Sequence, residues 1–326
     1  MGVQSLLFGI KSKSALPHCM AVRTTVPLPS SLSFQKIRDV TEYPSFFRMA
    51  HPCVAHACID KAEFVLKQDQ SFDGRADKFA RNIYDSTKGR IRTKVVWSDI
   101  EACLARLGNR PLRILDAGGG FGYFAQKLAA MGHQVELCDL SADMLALARV
   151  QIAEQGLEDR IRLIHCPIQD LKAHVTGTFD LVLCHAVLEW LAEPRRTLLG
   201  LFPFVHAGGI LSLLFYNRHG LLFQSLVVGN FDYVRQGLNK KRQTALTPTN
   251  PQLPEQVYDW IGRGGLKIIG KTGVRVIHDY MRHKQDQVEK FDDLLAMEQH
   301  YCRQEPFVAL GRYIHVMAQK PASGKS

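Results

Sequence analysis

The sequence predicts a doubly wound α/β fold, a mostly parallel sheet with helices on both faces and an antiparallel edge, and three observations predict it. The first is the apolar run from Arg113 to Asp116, which ends on an acid and passes into Ala117-Gly118-Gly119-Gly120-Phe121-Gly122, a strand turning sharply into a helix. The second is a strand about twenty residues later, Gln134 to Asp139, which also ends on an acid. The third is the apolar stretch Arg162 to Cys166, which leads to Ile168, Gln169 and Asp170. Such folds bind nucleotide-like ligands outside the carboxyl ends of their strands, so all three endings are expected at one site.

The loop chemistry discriminates between ligands. A dinucleotide fingerprint begun at Gly118 requires Gly or Ala at position 123, where Tyr123 stands. Asp116, placed before the glycines, repels a pyrophosphate and suits a ligand that presents positive charge, as the amino acid moiety of S-adenosylmethionine does. Glycine lets the backbone of Gly118, Gly119 and Gly120 lie against the ligand. Asp139 is placed to accept hydrogen bonds from ribose hydroxyls, and Gln169-Asp170 to read an adenine edge. A Rossmann-like methyltransferase domain is the reading that accounts for all of these.

Length and composition set limits. A chain of 326 residues with 46% hydrophobic and 22% charged residues builds a substantial core as one or two domains. It has no apolar run long enough for a membrane-spanning helix. Eight scattered cysteines, with no C-x-x-C pair, fit reduced thiols in a cytoplasm and no structural metal. The net charge is +10, and over residues 216–326 sixteen Lys and Arg face ten Asp and Glu. A basic C-terminal third on the acceptor side of such a fold favours a polyanionic partner, although a solvated basic face has the same composition.

Taken in order, residues 1–69 look foreign to the rest. Met1 to Arg38 contains no acid and is rich in Ser, as in a transit peptide or an upstream stretch read from an early start codon. With later candidate starts at Met20 and Met49, residues 1–48 are expected to be dispensable and 1–69 to form a poorly structured extension of a domain spanning 70–326. Helical spacing recurs over Ala76 to Tyr84 and Ile91 to Leu107, with a polar, basic loop from Tyr84 to Arg92 between them. A leading segment of this kind folds over the cofactor, so Arg92 is a candidate for its carboxylate.

A helix is expected from Tyr123 to Met131 and another after Ser141, its N-cap. Thr178 to Cys184 is the fourth strand; His185 at its tip either borders the cofactor and the methyl-transfer path or is satisfied by nearby backbone carbonyls, and Glu189 is expected in local turn hydrogen bonds. Pro194 to Phe202 is helical, and Gly208-Gly209 turns into a strand ending at Asn217. Residues 218–254 interrupt the alternation as a cap over the active site, and their Lys240, Lys241 and Arg242 are candidates for holding RNA phosphates. A helix from Gln256 to Gly262, strands over 266–276 and 311–318, and a helix from Phe291 to Arg303 complete an antiparallel edge.

Phe79-Ala80-Arg81-Asn82-Ile83-Tyr84, Leu115 to Gly120, Cys184 to Trp190, Phe215-Tyr216-Asn217, Gly229 to Val234 and Tyr301 to Pro306 resemble the bacterial tRNA 5-carboxymethoxyuridine methyltransferases. The similarity covers residues from about 72 to 320. It implies a class I methyltransferase fold with a seven-stranded sheet, S-adenosylmethionine as methyl donor and the wobble uridine of a tRNA anticodon as substrate, its carboxylate becoming a methyl ester. Carried over by position, the resemblance implies cofactor contacts at Arg92, Gly118, Gly119, Asp139, Ile168, Gln169 and His185. An ionised carboxylate is already a nucleophile, so no general base is required. A basic group must still hold it, and Arg275, His278 and Arg312 are the candidates. The alternatives are a small-molecule carboxyl or O-methyltransferase and a non-catalytic RNA-binding protein on the same fold; the oligomeric state is open.

Overall fold

The order of the strands sets the position of everything else. The computed structural model describes residues 68–74, 86–239, 248 and 250–322. In them one seven-stranded sheet runs in the order β3-β2-β1-β4-β5-β7-β6. Its strands are β1 (Arg113–Ala117), β2 (Gln134–Asp139), β3 (Ile161–His165), β4 (Phe179–His185), β5 (Val205–Tyr216), β6 (Lys267–Val274) and β7 (Tyr313–Gln319). The first five are mutually parallel, and β7 enters antiparallel between β5 and β6. The chain winds outward from β1 to β3 and returns at β4, so a crevice opens between the carboxyl ends of β1 and β4.

Strand alternation divides the core into two layers, because successive side chains point to opposite faces. Ile114, Leu181 and Leu183 pack on one face with Val95, Val96 and Ile100 of helix α1 (Thr87–Leu107). Leu115, Val182 and Cys184 pack on the other with Leu198 and Leu201. Full burial of each large aliphatic side chain contributes about 1.5–3 kcal/mol, which is why apolar residues occupy both faces of β1 and β4 between their polar ends.

The expected elements are present with local corrections. Helix α1 begins at Thr87, so the part of the expected basic loop from Thr87 to Arg92 is helical. The cause is a cap and a packed face: the Ser86 hydroxyl accepts from Gly89 N at 3.2 Å, and Ile91 and Val95 are fully buried. Strand β5 begins at Val205 rather than after Gly208-Gly209, with a register irregularity against β4 near Phe179 and Leu181. Helix α2 (Tyr123–Ala130) follows the glycine loop, and α3 (Ala142–Glu154) is capped by Ser141, whose hydroxyl accepts from Met144 N at 3.3 Å. Helix α4 spans Pro194–Leu201.

Within 218–254, helices α5 (Arg218–Val227) and α6 (Phe231–Arg235) are described, and the segment is closed at its base where Arg218 N and Gln252 O, then Gln252 N and Tyr216 O, pair at 3.0 and 2.8 Å. Helices α7 (Pro254–Arg263) and α8 (Phe291–Tyr301) flank the antiparallel edge. The expectations for residues 1–67, for Ala76 to Tyr84 and for Lys240, Lys241 and Arg242 lie outside the described residues. Among the described residues no helix is long and apolar enough to cross a membrane, and no group of side chains could hold a metal ion.

Candidate functional site

The glycine loop forms one wall of a cleft enclosing about 1040 Å³ out to open solvent. A Cβ at Gly119 would lie 2.5 Å from Cγ of Asp116, and one at Gly118 would lie 2.7 Å from Val187, so both positions require the absence of a side chain. Gly118 N and Gly119 N are both tied to Cys138 O, at 2.8 and 3.2 Å, which anchors the loop on β2. Asp116 is almost fully buried beneath this turn, and burial together with the nearby Asp139 raises its pKa to about 7. A buried carboxylate repelled by its neighbour is stabilised by a cationic ligand.

Asp139 accepts from Gly120 N and Ser141 N, each at 2.8 Å. Burial raises its pKa, against the opposing effect of those amides. Residues 68–74 cross the cleft as a strap: Asp69 accepts from Ala192 N and from the Gln169 side chain at 2.8 Å, and Asp73 accepts from Ser141 Oγ at 2.6 Å. Arg92 and Ile168 also line the cleft, as do Gly120 and Gln169. Asp170 does not: its side chain is exposed and outside the lining, because the 3-10 turn Ile168–Asp170 directs it to solvent.

At the end of β4, His185 lines the cleft, and its Nε2 lies 2.9 Å from Ser212 Oγ. Burial holds its pKa well below the usual value, so the ring is neutral. Ala186, next in the chain, sits in the left-handed region at φ 56°, a strain of the kind concentrated at functional sites. Glu189 makes the expected local hydrogen bond to its own backbone and also reaches further. It is fully buried, its Oε2 accepts from Tyr216 N at 3.4 Å across the fold, and burial raises its pKa to about 7 despite Arg92 nearby.

A second cluster lies across Tyr216 from the cleft. Arg312 donates from Nε to Oδ2 of Asp279 at 2.7 Å and from Nη1 to the Tyr216 hydroxyl at 3.2 Å, while Nη2 meets Gln224. Arg275 reaches both oxygens of Asp279, and His278 Nδ1 lies 2.9 Å from Oδ1. Burial would raise the pKa of Asp279, but Arg275, His278 and Arg312 outweigh it and hold the carboxyl far below its usual value. Arg275 is left-handed at φ 63°, and the turn is held by Glu298, which accepts from Val276, Ile277 and His278 N at 2.8, 3.0 and 2.8 Å.

All three of the substrate-side candidates therefore meet on one carboxylate. Lys88 joins them, without an acid partner of its own among the described residues; burial, then Arg275, lowers its pKa. The His278 ring also meets Thr87 Oγ1 at 3.0 Å, five residues before Arg92 on α1. At 1.5 Å per residue, that places the cluster about 7.5 Å along the helix from the cleft.

Residues 115–213 match the methyltransferase domain family. The chain is 51% identical, over 256 residues, to the tRNA 5-carboxymethoxyuridine methyltransferase of Escherichia coli strain K12, covering 78% of this chain and 98% of that protein. The chain belongs to this family. It is an S-adenosylmethionine-dependent methyltransferase.

A ubiquinone biosynthesis O-methyltransferase from Xanthomonas axonopodis is 29% identical over 175 residues, 54% of this chain and 71% of its own. The solved magnesium protoporphyrin IX methyltransferase from Synechocystis with bound SAH shares the fold, with a TM-score of 0.53, 16% identity and coverage of 76% of this chain and 96% of that one. The cradle fits the cofactor: Gly118 and Gly119 leave room that a Cβ would fill, and Asp116 offers a buried anion.

Sequence reasoning missed Lys88 and Asp279. Lys88 precedes Arg92 by four residues and so shares its helix face, a signal that becomes visible once the helix is known to start at Thr87. Asp279 follows Arg275 by four residues, but that spacing alone does not show that Arg312, 33 residues away, meets it too.

Proposed function

We propose that this enzyme methylates the carboxylate of 5-carboxymethoxyuridine at the wobble position of a tRNA anticodon, giving the methyl ester. The observation that carries this reading is the cationic cluster of Lys88, Arg275 and Arg312 organised on Asp279 beside the cofactor cleft. An acceptor carboxylate is ionised at neutral pH and needs no base to activate it. It does need fixed donors, and guanidinium groups present theirs in a planar fork suited to an anion.

Bound S-adenosylmethionine supplies an electrophilic methyl group. Asp116, Asp139, the 118–120 backbone, Arg92, Ile168, Gln169 and His185 would hold it; Asp170 is left out of this set. Arg275 and Arg312, immobilised by Asp279, would hold the carboxylate in line, and positioning of this kind supplies much of the rate. Tyr216 connects the two halves, its N–H on Glu189 and its hydroxyl on Arg312. The strap at 68–74 and the helices α5 and α6 would exclude water from the reacting charges.

We read residues 70–326 as the catalytic domain, 1–69 as an extension and 218–254 as the substrate-side cap. Phe223 and Phe231 are exposed on that cap and offer stacking faces to unpaired bases of the anticodon loop, ahead of the basic Lys240, Lys241 and Arg242 in sequence. Among the described residues five buried cysteines form no disulfide, which fits work in a reducing cytoplasm, where tRNA is modified. Mass spectrometry of wobble nucleosides in tRNA from a strain lacking the gene tests the reading. Loss of the methyl ester with accumulation of the free acid is expected, and an unchanged ester level overturns it.

A further inference from the structure

A chain of buried polar groups leads from the cofactor cleft along the face of the sheet that packs beneath α1. His185 Nε2 meets Ser212 Oγ on β5 at 2.9 Å, and Ser212 Oγ meets His315 Nε2 on β7 at 2.7 Å. His315 Nδ1 meets Asp99 Oδ2 on α1 at 2.7 Å, and Arg303 donates to Asp99 Oδ1 from Nε and Nη2 at 3.0 and 2.6 Å. Ser212 and His315 are fully buried and Asp99 is 1% exposed. At the cleft end, His185 Nδ1 is buried without a hydrogen-bond partner among the described residues.

The order of donors and acceptors follows from the far end. Asp99 is ionised, and a carboxylate can only accept, so His315 Nδ1 carries a hydrogen. With that hydrogen on Nδ1 and Arg303 already paired with Asp99, a second hydrogen on the fully buried His315 ring would add an uncompensated buried charge. Its Nε2 is then a lone pair that accepts from the Ser212 hydroxyl. Ser212 Oγ accepts in turn from His185 Nε2–H, and His185 Nδ1 is left as a lone pair.

We infer that Asp99, acting through His315 and Ser212, fixes His185 as its Nε2–H tautomer and so presents Nδ1 as a hydrogen-bond acceptor to S-adenosylmethionine in the cleft. Asp99, Ser212 and His315 are thereby positioning residues for cofactor binding, as the partner of one ring nitrogen generally decides what the other can do. The inference rests on the cofactor reading of the cleft and is independent of the RNA substrate. It also explains why a buried carboxylate, two imidazoles and a hydroxyl are tolerated between the sheet and α1: each satisfies the next, and the one open valence is left for a ligand.

The test uses the full chain with ¹⁵N-labelled histidine, without tRNA, so that its failure leaves the substrate assignment standing and the reverse also holds. Nitrogen chemical shifts, assigned against His185→Gln, are expected to show Nδ1 unprotonated and Nε2 protonated in the wild type. In Asp99→Asn, Arg303 keeps the amide oxygen, the amide N–H faces His315 Nδ1, and the whole relay reverses. His185 should then be protonated on Nδ1, with affinity for S-adenosylmethionine, measured by calorimetry, weaker by about tenfold. Ser212→Ala interrupts the relay and should give a mixture of His185 tautomers even if Asp99→Asn does not fold. A wild-type His185 protonated on Nδ1, or a pure Nε2–H tautomer retained in Ser212→Ala, would overturn the inference.

Discussion

Arg312 donates from Nε to Oδ2 of Asp279 at 2.7 Å, and both side chains are largely enclosed, 13% and 4% exposed. One carboxylate thus immobilises a guanidinium whose remaining donors face Tyr216 and Gln224. A cation held in this way is oriented before substrate arrives, which is what distinguishes a binding site from a basic surface.

Removal of either partner therefore has a distinct outcome. Arg312→Ala is expected to lower kcat/KM on the modified tRNA by about 10²-fold or more, with S-adenosylmethionine affinity within about twofold of wild type. Asp279→Asn leaves two enclosed guanidinium groups uncompensated and should destabilise the protein by about 3 kcal/mol. Steady-state kinetics and thermal unfolding separate the two effects, and normal turnover by Arg312→Ala would remove this residue from the acceptor site.

Cofactor affinity should depend on pH through Asp116. A cationic ligand binds the ionised carboxylate best, so with a pKa of about 7 the affinity should rise as pH increases from 6 to 8 and level off above that. Stability without ligand moves the other way. The folded carboxyl holds its proton to higher pH than an unfolded Asp, so this group's contribution falls as pH rises from the ordinary value of 3.8 to about 7. Asp116→Asn should flatten both profiles in calorimetry and unfolding, and an unaltered binding profile would place the titration elsewhere.

Gly119→Ala tests the cradle by sterics. The new Cβ would lie 2.5 Å from Asp116 Cγ, so the buried carboxyl must move. Overpacking of this kind costs about 1–3 kcal/mol, and cofactor affinity should fall by at least tenfold, as measured by calorimetry. Gly262→Ala, at a helical position where a Cβ meets nothing within 4 Å, is the matched control for stability, with cofactor affinity unchanged.

Lys88 is expected to contribute through charge. With Lys88 on an RNA phosphate, the slope of log affinity against log salt for unpaired RNA decreases by about 0.7 in Lys88→Ala. A slope identical to wild type would exclude an ionic contact there.

The glycine loop, the acids at the ends of β1 and β2 and most helices were legible because their signals are local. Gly118 to Gly122 is a continuous string, and Ser141 announces α3 within a few residues. The exceptions were also local conflicts that packing resolved. Thr87 to Arg92 reads as a polar loop, yet Ser86 caps it and Ile91 is fully buried, so it joins α1. Glu189 reads as a turn residue, yet its carboxylate lies against Tyr216 N on β5.

By itself the sequence determined the fold class, the cofactor and the residues of the glycine cradle, because each follows from periodicity and residue type within short windows. It also named Arg275, His278 and Arg312, but not what unites them. Only the tertiary structure decided that they share Asp279, that Asp99 reaches His315 across 216 residues of chain, and that His185 is left with one open valence. The physical reason is the strand order: β7 inserts between β5 and β6, and the resulting register brings together side chains that no local pattern relates.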